Sequence, residues 1–361
     1  MTTRELIFAD LHQAEGAWAH RPIKGDAYFA FEQIVNYALE PSNGIAELIG
    51  LGDLLDVNRP GSEPMEKLSE QMYRLEQKQK CVRYVQGQHE MADPPWLSLF
   101  RNTVHMHGKM LSYDKAYGLD FRPTGVLQQE LAAIPPDAKA LFTHQVWSDL
   151  MRFGGNGTFS EVPYVNWIFT GDYHVWVDKK FVGADGQTIR VISPGACCSQ
   201  SIDEPAEHYF AVWDGKTLTQ VPLLSRPHLG CYTFETESDL ANIDRLEQKL
   251  KEAEAWAGDA LPENIRKPLV QVKVGEGVPG ALLQVRKLLQ DRAHLFAQSI
   301  ITAVEENEAE LPTAGATTLL EALPLMVPDR DSQLYHDMAT VLTSPAPAEA
   351  LNEIEKRWLG E

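Results

Sequence analysis

Three shortages in this chain each remove a class of protein: it has few cysteines, little positive charge and no long apolar run. The four cysteines, Cys81, Cys197, Cys198 and Cys231, show none of the paired spacings of a zinc site. Adjacent Cys197 and Cys198 are poorly placed to bridge to each other, and nothing asks for an oxidising compartment, so all four read as reduced small hydrophobes. Lysine and arginine number 32 against 51 acidic residues, a formal net charge of −19. A surface that coats nucleic acid indiscriminately is built from Lys and Arg, so that class is excluded, whereas an enzyme with local contacts is not. Arg59, Lys67, Arg101, Lys109 and Arg152 are the candidates for such contacts, and each alone reads first as solvated surface. No stretch approaches the roughly 20 apolar residues of a membrane span. Arg4, Glu5 and Asp10 interrupt the apolar start that a signal peptide would need, so the expected location is cytoplasmic.

What is present is a folded α/β chain. At 361 residues, with 44% hydrophobic residues, it is long enough for two or three packed units. Residues 4–9, 46–51, 81–86, 103–111, 139–143, 165–170 and 188–193 read as strands, and 26–40 and 64–79 as helices. His208–Trp213 and Leu218–Leu224 flank the turn pair Asp214-Gly215 as a hairpin. Beyond Pro227 the text changes. A strand at 231–235 comes first, then a helix striped by Leu240, Ile243, Leu246, Leu250 and Trp256. A strand at 269–274, a helix at 282–289 and a strand at 295–304 complete a second, smaller α/β unit. Asp331–Leu342 and Pro345–Trp358 read as two terminal helices whose apolar stripes are too small to make a core alone. The glycine-rich stretch 152–157 reads either as a mobile wall of a cleft or as a plain connection.

The ends of the early strands carry the chemistry. Phe8-Ala9-Asp10-Leu11-His12, Gly52-Asp53-Leu54-Leu55-Asp56, Gly87-Gln88-His89-Glu90, Thr143-His144-Gln145 and Gly171-Asp172-Tyr173-His174 each follow a run of strand character. Metal-binding side chains are thereby collected on loops along one edge of a sheet. Two divalent ions about 3.5–4 Å apart can acidify a water, neutralise a phosphate and stabilise a leaving oxygen, which requires a carboxylate shared between them. Asp53 is the natural bridge, with Asp10, His12 and His174 around one ion and Gln88, His144 and Asp172 around the other. Mixed imidazole and oxygen donors favour manganese, iron or zinc over calcium, and an oxygen-rich second site tilts the choice toward Mn2+ or Mg2+. His89, directly after the amide ligand, is placed to act as general acid or hydrogen-bond donor to the leaving oxygen, and Glu90 to hold its tautomer. Each element alone is an ordinary turn; the signal is five of them in order.

In that order the chain resembles the calcineurin-like metallophosphoesterases, whose pattern runs D-x-H, G-D-x-x-D, G-N-H-D/E, a lone His and G-H-x-H, across roughly residues 5 to 200. Within them it is most similar to the SbcD-type nuclease subunit of DNA double-strand-break repair. Gly52 to Ser62 looks like that group's extended second motif, and Ser193 to Ser201 like its Pro-Gly-Ser segment. The resemblance implies a two-sheet sandwich flanked by helices over 1–227, a capping domain over 228–306, and a linker with C-terminal helices over 307–361. It implies that Asp10, His12, Asp53, Gln88, His144, Asp172 and His174 are metal ligands and His89 the catalytic histidine. It also implies DNA as substrate, exo- or endonucleolytic cleavage, an SMC-like ATPase gripped by the terminal helices, and a homodimer within that complex. Two positions depart from the pattern: Gln88 stands for Asn and Asp172 for the first His of the last motif. Both fall on one ion, and Asp172 adds a negative charge, which points to a retuned or weakened second site. The rival readings are a stand-alone phosphatase or phosphodiesterase, and a non-catalytic adaptor.

Overall fold

The computed structural model describes residues 4–15, 23–111, 115–151, 154–275, 278, 280–299 and 333–343. Alternating and continuous apolar runs resolve there into fifteen strands. They are β1 Arg4–Phe8, β2 Ile45–Leu51, β3 Cys81–Val85, β4 Thr103–His105, β5 Met110–Leu111, β6 Ala116–Leu119, β7 Ala140–His144 and β8 Trp167–Gly171. There follow β9 Val177–Val182, β10 Thr188–Ser193, β11 His208–Trp213, β12 Leu218–Leu223, β13 His228–Phe234, β14 Leu269–Val274 and β15 His294–Ser299. Two mixed six-stranded sheets form, in the orders β12-β11-β1-β2-β3-β4 and β5-β6-β7-β8-β10-β9, and a three-stranded sheet follows, β13-β14-β15. Helices α1 Asp26–Leu39, α2 Ser62–Gln77 and α3 Thr124–Ala132 flank the large sheets; α4 Asn242–Ala260 and α5 Ala281–Leu289 accompany the small one.

Strand β1 shows why the two large sheets stack. Its side chains alternate, so Leu6 and Phe8 enter a core with Phe31, Ile34 and Val35 of α1 and Leu68 and Met72 of α2, while Ile7 enters another with Phe142, Phe169 and Ile192 of the second sheet. Burial on both faces accounts for the apolar runs 6–8 in β1, 48–51 in β2 and 84–85 in β3. Within each sheet β1, β2, β3 and β4, and β6, β7, β8 and β10, run parallel. Their carboxyl ends therefore open on the same edge, where α/β folds bind ligands.

The fold departs from the sequence reading in several places. The expected strand 103–111 breaks in two at Gly108, whose φ of 67° turns the chain so that its N–H reaches Gly118 O. Strands β6 and β9 and helix α3 were not expected; α3 buries only Leu127 and Leu131, and β9 is a charged edge strand. Trp256 does not join the buried stripe of α4. It is 45% exposed, and Ala257 is buried instead. All four cysteines are free, but Cys231 lies exposed rather than packed. The described part of the glycine-rich stretch is closed by a Trp147–Gly157 bridge, and Arg152 lies outside the described residues.

The chain divides into two compact units, Met1–Ile300 and Ile301–Glu361. The small sheet lies within the first and has its own core of Phe234, Leu246, Leu250, Val270, Val272 and Val285. Of the second, the helix Gln333–Thr343 is described, close to the first expected terminal helix; Pro345–Trp358 lies outside the described residues. No described helix is long and apolar enough to cross a membrane.

Candidate metal centre

The motif residues sit where the parallel strands end. Asp10, His12, Asp53 and Asp172 all adopt left-handed backbone conformations, with φ of 50°, 47°, 50° and 77°. Side-chain-bearing residues rarely do so, and such strain collects at functional sites. Backbone bonds stitch the turns together: Asp10 N donates to Gly52 O at 3.2 Å, and His12 N to Asp53 O at 2.9 Å. Gly52 has a φ of 89°, and a Cβ there would meet His144 Nδ1 at 2.5 Å; a Cβ on Gly87 would overlap the Asp53 carboxylate. Both glycines are required by close approach to the site.

Three histidines are oriented the same way. His144 Nδ1 lies 2.7 Å from Leu51 O, His12 Nδ1 3.0 Å from Asp56 Oδ1, and His174 Nδ1 2.8 Å from Glu204 Oε1. Each imidazole thus has one nitrogen held by an oxygen acceptor, the arrangement by which proteins present the other nitrogen to a metal. Among the described residues, His12 Nε2, His144 Nε2 and Gln88 Oε1 are buried with no hydrogen-bond partner. His144 Nε2 does approach Asp53 Oδ2 to 3.2 Å, without hydrogen-bond alignment, and Asp172 Oδ1 to 3.8 Å. Two orphaned imidazole nitrogens beside the buried Asp53 carboxylate are what a bound cation would satisfy. Potential ligand atoms of Asp10, His12 and His174 lie within 4.8 Å of one another, as do those of Asp10, Asp53 and His144. The buried His and Asp groups can hold a metal ion.

Asp10 is common to both groups, and Asp53, the expected bridge, reaches both histidines: its Oδ2 is also 3.9 Å from His12 Nε2. Gln88 donates from Nε2 to Asp172 Oδ1 at 2.6 Å, which leaves its carbonyl oxygen turned elsewhere. Asp172 N donates to both oxygens of Asp10 at 3.0 and 3.1 Å. The seven expected ligands therefore converge on one place.

The electrostatics follow from that crowding. Burial opposes a charge on His144, but Asp53, Asp10 and Asp172 outweigh it and raise its pKa to about 10. His174 is likewise carried to about 9 against burial, chiefly by its bond to Glu204 and by Asp10. Burial opposes ionisation of Asp53 too, yet the His144 charge and the other contacts bring it to about 2. Asp10 goes up, because burial dominates.

His89 and Glu90 do not form the pair expected of them. His89 is exposed, stands edge-on to His12 with ring centroids 4.9 Å apart, and turns Nδ1 to Asp56 O at 3.1 Å. Its backbone N–H donates to Asp53 Oδ1 at 3.0 Å. Glu90 is buried beneath the turn, accepting from Leu55 N at 3.0 Å and Gly87 N at 3.4 Å. Burial and the neighbouring Asp53 push its carboxyl up to about 8. Glu90 is thus a brace for the second and third motifs. Glu90→Ala should lower the unfolding free energy by about 2–4 kcal/mol, since it strands two buried amides, whereas Glu90→Gln keeps the shorter bond and should cost less than about 1 kcal/mol. Urea unfolding at pH 7 tests this, and equal losses in the two variants would refute it.

Asp56 and Glu204 are the residues that sequence reasoning passed over. Asp56 had a visible signal as the last residue of the Gly52–Asp56 motif; Glu204, 30 residues from His174, had none. No protein-family model and no curated protein matches this chain, so its own residues carry the functional argument.

Proposed function

We propose that this chain is a calcineurin-like two-metal phosphoesterase of the SbcD type, a nuclease that hydrolyses DNA phosphodiesters with two manganese or magnesium ions. The observation that carries the reading is the trio His12, His144 and His174, each held at Nδ1, with potential ligand atoms of His12 and His174 gathered beside Asp10 and those of His144 beside Asp10 and Asp53. Bound there, divalent ions would neutralise the phosphate and activate water. The chain's own residues would do the rest. Asp53 and Asp10 would share the ions between the two histidine groups, and Gln88, whose Nε2 faces Asp172, would turn its amide to offer the carbonyl oxygen. His89, exposed at the rim and held by Asp56, would hydrogen-bond to the departing oxygen or protonate it. In the same proposal residues 228–306 cap the nuclease unit, and 307–361 attach it to an SMC-like ATPase within a homodimeric complex.

Manganese-dependent digestion of single- and double-stranded DNA, run beside hydrolysis of a simple aryl phosphodiester, tests the reading. Cleavage of both supports it. Cleavage of the small ester alone would favour a stand-alone phosphodiesterase, and metal binding without hydrolysis a non-catalytic adaptor. His89→Asn should leave metal stoichiometry intact and slow turnover by on the order of 100-fold or more; loss of metal would make His89 a ligand instead.

A further inference from the structure

The three anchored histidines differ in what stands behind the anchor. His144 is held by a strand carbonyl and His12 by the aspartate of a neighbouring motif, but His174 is held by a loop from outside every motif, residues 199–204. Within it Glu204 Oε1 receives His174 Nδ1 at 2.8 Å, and Glu204 Oε2 accepts from Gln200 N at 2.7 Å. The loop has no regular secondary structure that would fix the carboxylate by itself.

Its support comes from all three strands of the small sheet. Ser199 Oγ lies 3.1 Å from Nε2 of His228 in β13, and 3.0 Å from Nε2 of His208. Ile202 packs in an apolar cluster with Leu269 of β14, Phe296 of β15 and Ile23. Asp203 Oδ1 accepts from Nε2 of Gln271, a buried residue of β14, at 3.0 Å. Gln271 thus holds Asp203, and Asp203 is the chain neighbour of Glu204, which holds His174.

We propose that Glu204 is a positioning residue that fixes the orientation and tautomer of His174 as a metal ligand, and that the small sheet, through Gln271, is the platform that fixes Glu204. The inference rests on the two-metal reading of the site. It gives the small sheet a role in building the metal centre, so that whatever bears on that sheet is felt at one ion. Outer partners of ligating histidines commonly contribute 10–100-fold in metal affinity.

The test uses the full-length protein freed of metal and titrated with Mn2+ by calorimetry and electron paramagnetic resonance, with thermal melts as a check on folding. Glu204→Gln should weaken one of the two Mn2+ sites by about 10–100-fold and alter the resonance of the ion bound there. Gln271→Leu, remote from the ions and close in size, should weaken the same site in the same direction by less. Affinities within twofold of wild type at both sites in Glu204→Gln would overturn the proposal. An effect of Glu204→Gln with none of Gln271→Leu would overturn the platform and leave Glu204. Should Glu204→Gln fail to fold, Gln271→Leu alone decides, and unchanged affinity then overturns it. If the wild-type protein takes up no Mn2+, the two-metal reading itself fails. The ion-free protein then settles the contact: the His174 imidazole 15N resonances must move in Glu204→Gln, and if they do not the positioning role falls as well.

Discussion

Asp53→Ala is expected to lose phosphodiester hydrolysis by on the order of 1000-fold or more, equivalent to about 4 kcal/mol of transition-state stabilisation, and to loosen both metal ions. The carboxylate lies 3.2 Å from His144 Nε2 and 3.9 Å from His12 Nε2, so its removal reaches both histidine groups at once. It also takes away the acceptor for the His89 backbone N–H, which frees the turn that presents His89. The fold should survive. Leu54 and Leu55 bury the same turn in the first core, and the backbone bonds from His12 N to Asp53 O and from Gln13 N to Leu54 O do not involve the lost side chain. Activity with Mn2+, calorimetric metal titration and urea unfolding check the three parts separately. Full activity in the variant would sink the two-metal reading. Lost activity with wild-type metal affinity would move the bridging role to Asp10, which is common to both ligand groups.

The clustering of these His and Asp residues was legible because each follows a strand in a turn with a short text. Asp10 to His12, Gly52 to Asp56 and Gly171 to His174 could each be read as strand followed by turn, and the structure places them there. Central strands were equally plain, since β1, β2 and β3 end in apolar runs buried on both faces. What escaped was whatever depends on distance in sequence or on one exposed face. Strand β9, Val-Asp-Lys-Lys-Phe-Val, is an edge with little to bury, and α3 offers two buried leucines in nine residues. Helix α4 is legible, but a large aromatic such as Trp256 outweighs Ala257 in any hydropathy pattern, whereas the structure buries the alanine and leaves the tryptophan exposed. Glu90 adjoins His89 in sequence, and adjacency suggested a pair. In the turn consecutive side chains diverge, so Asp56 took that place and Glu90 went under the loop.

Metal loading of the ion-free protein should release protons, and affinity should rise steeply with pH. His144, at about 10, and His174, at about 9, are both protonated at neutral pH, held so by the carboxylates around them despite burial. An ion can take Nε2 only by displacing that proton. Each of these two ligands then contributes about tenfold in affinity per pH unit below its pKa, so loading of both sites should strengthen by up to about 100-fold per unit from neutral pH to about 9. Calorimetry in buffers of different ionisation enthalpy counts the released protons directly, and a count of zero at pH 7 would show that neither histidine ligates through Nε2. The same shifts set the stability of the ion-free form. A histidine whose folded pKa lies above its unfolded value near 6.5 contributes stability that is complete below pH 6.5 and is lost as pH rises through about 9 to 10. Glu90, moved from 4.5 to about 8, acts in the same direction: its protonated form suits the fold, so stability falls between those values. Asp53, lowered to about 2, matters only under strong acid. The ion-free protein should therefore melt at progressively lower temperature from pH 6 to pH 10. Saturating Mn2+ should flatten the histidine part of that decline, because the cation replaces the protons of His144 and His174, and leave the Glu90 part. A melting profile that is level without metal would mean that the carboxylates do not hold these histidines charged.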